Sequence, residues 1–256
     1  MKRFKLTVAY DGTAYSGFQV QKSCPTIEGE LNKSLTALLG EEIHVIGASR
    51  TDAGVHALCN VAVFDSETTI PAEKLAYALN QRLPEDIRIQ KSEEVADDFH
   101  PRHCDSVKTY EYRITVGEFP IPTKRLYSHF TYHKLDVTKM QEAAKHLIGE
   151  HDFNSFCAAA AVVETTVRTV YDVTVEAQGD DIVIRVSGNG FLYNMVRIIA
   201  GTLMEVGKGR WEPSYVKEIL EAKDRRVAGP TAPACGLMLV KYEFFSELNQ
   251  IPLRIM

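Results

Sequence analysis

The order of predicted strands and helices constrains the fold most, because the same order occurs twice along the 256 residues. Alternating apolar and polar residues predict a strand at 3–10, and an apolar stripe at helical spacing predicts a helix at 26–39 with Thr26 as its N-cap. The rest of the first half is predicted as strand, strand, helix and strand, at 42–48, 59–65, 72–83 and 87–95.

The second half repeats this order. In "VKTYEYRITV", residues 107–116, Tyr110 and Tyr112 share one face of a predicted strand and Thr109 lies on the other. The predicted elements that follow are a helix at 137–148, strands at 167–177 and 181–187, a helix at 190–206 with Asn189 as its N-cap, and a strand at 237–244. Residues 208–236 fall outside the repeat and contain a short amphipathic helix and a turn-rich segment.

The order strand, helix, strand, strand, helix, strand is the split βαβ, ferredoxin-like topology. Its repetition predicts an α+β protein built from two pseudo-twofold-related ferredoxin-like halves, residues 1–104 and 105–256, that share a continuous antiparallel sheet. We expect a central cleft where the halves meet.

Composition and charge limit the class of protein. A chain with 45% hydrophobic and 25% charged residues is typical of a globular protein, and it has neither an apolar signal segment nor a run of ~18 uncharged apolar residues. We therefore expect a cytoplasmic protein without a membrane span. The net charge of -5 argues against a wholly basic nucleic-acid coat, so any RNA contact requires a local basic surface.

No metal site is predicted. The five cysteines are scattered and include no Cys-x-x-Cys pair. The segment "HPRHC" groups His100, His103 and Cys104, but no second cluster supplies the remaining ligands of a tetrahedral site. We interpret it as a polar loop.

Three residues are candidates for a catalytic or substrate-binding role, and each also has an interpretation as a purely structural residue. Asp52, in "ASRTDAGVHA", lies in a predicted turn between two strands, where it either binds its own backbone or projects a carboxylate. Arg197 lies close to the apolar face of a helix, where it needs an anionic partner unless it extends to solvent. Tyr110 is either a core tyrosine or a surface on which a base stacks.

The chain resembles the tRNA pseudouridine synthase A family over essentially its whole length. The resemblance rests on segments in family order: "AYDGTAYSGFQVQ", "GASRTDAGVHAL", "LNQRLPEDIRI", "FHPR", "KTYEYRI", "SFCA", "VRTVYDV", "GNGFLYNMVRIIAGTLMEVGKG" and "APACGLMLVKY". It departs from the family pattern at Ser49, at Cys59 and Asn60, and in "HCDSVKTYEY", where basic residues are commoner.

The resemblance implies a cofactor-free isomerase. Such an enzyme cuts the C1'–N1 bond of a uridine in tRNA, rotates the base and rejoins it through C5, at positions 38 to 40 of the anticodon stem-loop. It implies that Asp52 is the catalytic aspartate, Tyr110 the base-stacking tyrosine, Arg197 the salt-bridge partner of Asp52, and Arg50 a contributor to nucleotide flipping. It also implies a homodimer that binds tRNA across both subunits.

The residues leave the details of the chemistry open. Asp52 has three possible roles: attack at C1', addition to the base at C6, and removal of the C2' proton. Tyr110 is expected mainly to stack, because a phenol with a pKa of about 10 is a poor base at neutral pH.

Two other classes of protein fit parts of the pattern. A single-stranded RNA-binding module would use twin ferredoxin-like sheets, but no segment has the basic and aromatic RRM signature. A glycosidase would need a second carboxylate beside Asp52, which its own motif lacks.

Overall fold

The computed structural model describes residues 1–158 and 164–245. The described residues form two compact units, one made of Met1–Ser106 together with the described residues from Leu239 onward, and the other of the described residues in Val107–Met238. In the described part of the chain, no helix has the length and apolarity needed to cross a bilayer.

The first unit has the predicted order of elements. They are β1 (Lys2–Tyr10), α1 (Ile27–Leu39), β2 (Ile46–Gly47), β3 (His56–Ser66), α2 (Ala72–Asn80) and β4 (Ile87–Val95). In its sheet β1 lies between β4 and β3 and is antiparallel to both, and the short β2 pairs antiparallel with β3. The strand predicted at 42–48 is reduced to two residues.

Helix α1 begins and ends as the sequence predicts. The Thr26 side chain accepts a hydrogen bond from the Gly29 N–H at 3.2 Å, which confirms the predicted N-cap. Gly40 ends the helix with a φ of 72°, in the left-handed region that glycine adopts without strain. Ile27, Leu31 and Leu35 are fully buried, so the apolar stripe belongs to the core of this unit.

The strands and α-helices that follow build the second unit, except that the last strand passes into the first unit at Leu239. They are β5 (Ser106–Val116), β6 (His129–Thr131), α3 (Val137–Ala144), β7 (Gly149–Asp152), β8 (Val167–Gln178), β9 (Asp181–Gly188), α4 (Met195–Gly207), α5 (Tyr215–Ala222) and β10 (Leu237–Phe244). Its sheet has the order β5, β9, β8, β7, and β6 runs parallel to β5. The strands β6 and β7 were not predicted, because three- and four-residue strands are too short for an alternating pattern.

The start of α4 differs from the prediction. The predicted Asn189 cap is wrong: α4 begins at Met195, and the Asn189 side chain instead accepts from the Thr169 N–H at 3.0 Å. The residue at the cap position is Asn194, in the left-handed region with a φ of 61°. From Leu239 the last strand, β10, lies beside β3 in the first unit.

The "HPRHC" segment contributes to packing in the first unit. The rings of His100 and His103 stack with centroids 3.9 Å apart. Cys104 packs against a buried cluster that includes Val61 of β3 and Phe244 of β10. This segment therefore packs beside β3 and β10.

Candidate active site

The loop that carries Asp52 is held on both sides of that residue by the segment that follows β1. The Phe18 N–H donates to the Thr51 carbonyl at 3.0 Å, and the Gly54 N–H donates to the Tyr15 carbonyl at 3.2 Å. The Val55 N–H donates to the Asp52 carbonyl at 3.2 Å and closes a turn. The backbone around the half-buried Asp52 is thus fixed by three main-chain hydrogen bonds.

This contact requires glycine at defined positions. A Cβ added at Gly17 would lie 2.6 Å from the Thr51 carbonyl oxygen, and one at Gly12 would overlap the Val55 carbonyl oxygen. Gly54 has a φ of 76°, which favours glycine in the turn after Asp52. The glycines of "AYDGTAYSGF" therefore let the first connection pack directly on the Asp52 loop.

The buried side-chain amide of Asn60, on β3, binds the same loop just before Arg50. The Asn60 side chain of β3 accepts from the Ser49 N–H at 3.2 Å and donates to the Ser49 carbonyl at 2.9 Å. Its Nδ2 also donates to the Tyr10 hydroxyl at 3.0 Å, and that hydroxyl shares a 2.7 Å hydrogen bond with Thr51 Oγ1. Burial raises the pKa of Tyr10 well above its ordinary value, so the phenol stays neutral in this network.

Sequence reasoning singled out Ser49 and Asn60 only as departures from the family pattern. Their role in the loop was missed because Asn60 lies eight residues beyond Asp52, and only the pairing of β1 with β3 brings Tyr10 beside them. The signal available in the sequence was a polar amide in the middle of an apolar strand, which needs hydrogen-bond partners when buried.

In the second unit, Tyr110 lies on the inner face of β5. Its side chain is 8% exposed, and its ring meets the ring of Phe191 edge to face with centroids 5.3 Å apart. Its neighbour on that face, Tyr112, is fully buried and donates its hydroxyl proton to the Pro233 carbonyl at 2.9 Å. Tyr112 is thus a core tyrosine, whereas Tyr110 lies closer to the end of the sheet.

Arg197 is the one residue of α4 that is not fully buried. Its Nε donates to the Ala232 carbonyl at 2.7 Å, and Nη1 donates to the Asn194 side-chain oxygen at 2.8 Å. The Ala232 N–H donates back to the Arg197 carbonyl at 3.1 Å. Two side-chain hydrogen bonds therefore fix the direction of the guanidinium, as a partner in an ion pair requires.

The segment that meets Arg197 packs very closely on α4. A Cβ at Gly201 would overlap the Pro230 carbonyl oxygen, and one at Gly229 would lie 2.5 Å from the Thr202 nitrogen. The Thr202 hydroxyl accepts from the Gly229 N–H at 3.0 Å. The turn-rich segment predicted outside the repeat therefore supports the helix that carries Arg197.

The predicted site residues divide between the units. Asp52 and the exposed Arg50 belong to the first unit, and Tyr110 and Arg197 belong to the second. The pairing of Asp52 with Arg197 stays a prediction. Main-chain hydrogen bonds fix the backbone around Asp52, and side-chain hydrogen bonds fix the guanidinium of Arg197.

Comparison with known proteins identifies the family. A family model described as tRNA pseudouridine synthase matches residues 6–103 and 143–244. The tRNA pseudouridine synthase A of Brevibacillus brevis is 49% identical over 239 residues, which cover 93% of this chain and 98% of the relative. The protein of the same name from Bacillus subtilis is 48% identical over 240 residues, which cover 93% of this chain and 97% of the relative. The one from Thermoanaerobacter pseudethanolicus is 48% identical over 241 residues, which cover 94% of this chain and 99% of the relative.

Among solved structures, a chain of a Cbf5-Nop10-Gar1 complex matches 93% of this chain and 48% of its own length, with a TM-score of 0.39 and 13% identity. That likeness is too weak to bear on function.

The described chain is an α+β protein in which main-chain hydrogen bonds fix the loop that carries Asp52. The chain belongs to the tRNA pseudouridine synthase family. It is accordingly an isomerase that acts on tRNA and converts uridine to pseudouridine.

The buried amide network predicts a large effect of Asn60→Ala. This change leaves the buried N–H and C=O of Ser49 without the side chain that binds them, at about 1 to 3 kcal/mol per group. We expect the free energy of unfolding, measured by urea denaturation, to fall by about 3 kcal/mol, and kcat for tRNA to fall as the Asp52 loop loosens.

Asn32→Ala is the matched control. Asn32 is an amide in the same unit whose side chain accepts from the Val45 N–H at 2.8 Å. Its loss should cost about 1 kcal/mol and leave kcat unchanged. Equal losses of stability and activity in the two variants would contradict a special role for Asn60.

Proposed function

We propose that this enzyme isomerises uridines 38, 39 and 40 in the anticodon stem-loop of tRNA, with Asp52 as the catalytic carboxylate. The observation that carries the proposal is the loop of Asp52, whose backbone is fixed on both sides of the carboxylate within the segment "GASRTDAGVHAL". A preorganised carboxylate costs no reordering when the substrate arrives.

The reaction is balanced without a cofactor. The C1'–N1 bond breaks, a C1'–C5 bond forms, the proton on C5 leaves, and N1 gains a proton. Attack at C1', addition at C6 and removal of the C2' proton all require the ionised form of Asp52. No oxidant or nucleotide enters this balance.

Arg197 is the proposed partner that keeps Asp52 ionised. An arginine in contact with an aspartate favours the charged carboxylate, and the bonds of Arg197 to Ala232 and Asn194 support a fixed orientation of its guanidinium. A bound ion pair of this kind would aim the carboxylate as well as charge it.

Tyr110 and Arg50 are the proposed substrate-binding residues. A uridine within the stem-loop must leave its stack, at a cost of a few kcal/mol, before its C5 is accessible. The ring of Tyr110 would stack on the extruded base, and the exposed Arg50 would contact the vacated position or a phosphate. Arg50 suits this role because it lies two residues before Asp52 on the same loop.

The domain arrangement is part of the proposal. Two ferredoxin-like halves, 1–104 and 105–256, would be related by a pseudo-twofold axis, would share a continuous antiparallel sheet, and would enclose a central RNA-binding cleft. The support is the order of the main elements: β1, α1, β2, β3, α2, β4 in one unit, and β5, α3, β8, β9, α4, β10 along the rest of the chain. The first half would carry the aspartate, and the second would complete the site.

A homodimer in the cytoplasm is the proposed working form. We expect sedimentation velocity to give twice the 28.7 kDa of the chain, with one tRNA contacting both subunits. A species of 28.7 kDa that retains full activity at the same concentration would contradict the dimer.

The role of Asp52 is tested with tRNA labelled with tritium at C5 of uridine. Because C5 loses its hydrogen in the reaction, wild type should release tritium, and Asp52→Ala should release it on the order of 10⁴-fold more slowly. Free uracil should not accumulate, since its release would indicate glycoside hydrolysis instead.

Asp65→Asn is the matched control. Asp65 is also in the first unit, where it forms a bidentate ion pair with Arg3 at 2.7 Å. Its loss should lower stability and leave tritium release within a few-fold of wild type. If wild type releases no tritium and Asp52→Ala binds tRNA as tightly as wild type does, the result indicates a tRNA-binding module instead of an isomerase.

The role of Arg197 is tested by the pH dependence of kcat/KM. If Arg197 favours the ionised carboxylate, Arg197→Gln should move the acid limb of the profile to higher pH by about 1 to 3 units. Lys217→Gln removes a positive charge from an exposed position on α5 and should leave the limb in place. An unchanged limb in Arg197→Gln would exclude this electrostatic role.

A further inference from the structure

Two cations lie on the same face of the second sheet as Tyr110. Lys108 and Tyr110 are two residues apart on β5, so they point to the same side. Lys108 pairs with Gly188 on β9, and Gly188 pairs with Val170 on β8. Arg168, two residues before Val170, therefore shares that face with Lys108.

The loop after β9 brings this cationic end of the sheet to Tyr110. A Cβ at Gly190 would lie 3.8 Å from Cδ and Nε of Arg168, so the arginine passes over that glycine. A Cβ at Gly188 would lie 3.3 Å from the ring of Phe191, which meets the ring of Tyr110. The Phe191 ring therefore packs over Gly188, the residue paired with Lys108, and links the cationic end of the sheet to Tyr110.

The electrostatics of the pair favour an anion. Burial and the charge of Arg168 lower the pKa of Lys108 to about 8. Burial also lowers the pKa of Arg168, whereas a neighbouring carboxylate would raise it. The other titratable group facing Arg168 is the Cys157 thiol, whose pKa is raised by burial and which is therefore neutral.

The guanidinium of Arg168 is oriented by backbone. Its Nη1 donates to the Thr165 carbonyl at 2.9 Å and to the Val167 carbonyl at 2.6 Å. In residues 1–158 and 164–245, no carboxylate forms an ion pair with it. The Nε and Nη2 N–H groups are the donors that an anion would use, in the planar geometry that suits phosphate oxygens.

We propose that Lys108 and Arg168 form a phosphate-binding subsite that holds a phosphodiester of the RNA substrate beside the base on Tyr110. The inference rests on the proposed function, because it takes Tyr110 as the stacking residue. Phosphate is favoured over a carboxylate ligand because the substrate class is tRNA, whose backbone places an anion within one nucleotide of every base.

The subsite has a pH dependence of predictable sign. Lys108 is cationic below a pH of about 8 and binds phosphate there with its full charge. Above that pH the free enzyme loses the proton of Lys108, and its affinity for the phosphate falls. The fall ends above the pKa of the phosphate-bound lysine, which is higher because the phosphate favours the charged form. Most lysines would show no such loss below a pH of about 10.

The test is the Kd for tRNA, measured by fluorescence anisotropy from pH 6.5 to 9.5 at constant ionic strength. The tRNA is first incubated with wild-type enzyme until tritium release stops, so no turnover occurs during the titration. We expect wild type to weaken roughly 10-fold over this range, and Lys108→Gln to be weak at every pH. The slope of the logarithm of the binding constant against the logarithm of the salt concentration should be smaller in magnitude for Lys108→Gln by about 0.7 to 0.9.

Lys108→Arg is the decisive variant. Arginine stays charged throughout this range, so the part of the pH response due to Lys108 should vanish while binding at low pH persists. Lys217→Gln removes a charge of the same sign from α5 and should keep the wild-type profile. Identical pH profiles in wild type and Lys108→Arg, or wild-type affinity in Lys108→Gln, would overturn the subsite.

The two proposals fail in different ways. A wrong assignment of the reaction would appear as missing tritium release from wild type, with the binding profiles still measurable. A wrong subsite would leave tritium release intact and remove the pH difference between wild type and Lys108→Arg.

Discussion

The side-chain amide of Asn60 is the interaction on which the Asp52 loop depends. From the middle of β3 it binds both backbone groups of Ser49 and the hydroxyl of Tyr10, and Tyr10 in turn binds Thr51. A buried amide satisfied in this way fixes one conformation, because any other would leave several polar groups without partners. These hydrogen bonds attach the Asp52 loop to the sheet and restrict the motion that surface loops usually have.

The second unit reaches a similar result by close packing. Arg197 would be costly on an otherwise buried helix, but the carbonyl of Ala232 and the side chain of Asn194 accept its hydrogen bonds. Glycines at 201 and 229 allow the irregular segment to approach α4 closely enough to supply that carbonyl. Both units thus hold a charged residue by fixing the backbone around it.

Periodicity and local signals predicted most of the fold. The Thr26 cap and the long strands follow from patterns within a few residues. The strands β6 and β7 did not, because their pairing is with distant residues and their own sequences carry no period. The start of α4 was misplaced because Asn189 has the side chain of a cap but uses it to bind Thr169.

The sequence by itself determined the family, the order of the main elements and the identity of the residues expected to react, because these depend on residue type and spacing. Tertiary structure decided what holds those residues. Asn60 meets Ser49 through the pairing of β2 with β3 and meets Tyr10 through the pairing of β1 with β3. Lys108 shares a face with Arg168 only through the pairing of β5, β9 and β8. Contacts between residues far apart in the chain have no local signal, so strand register alone brings them together.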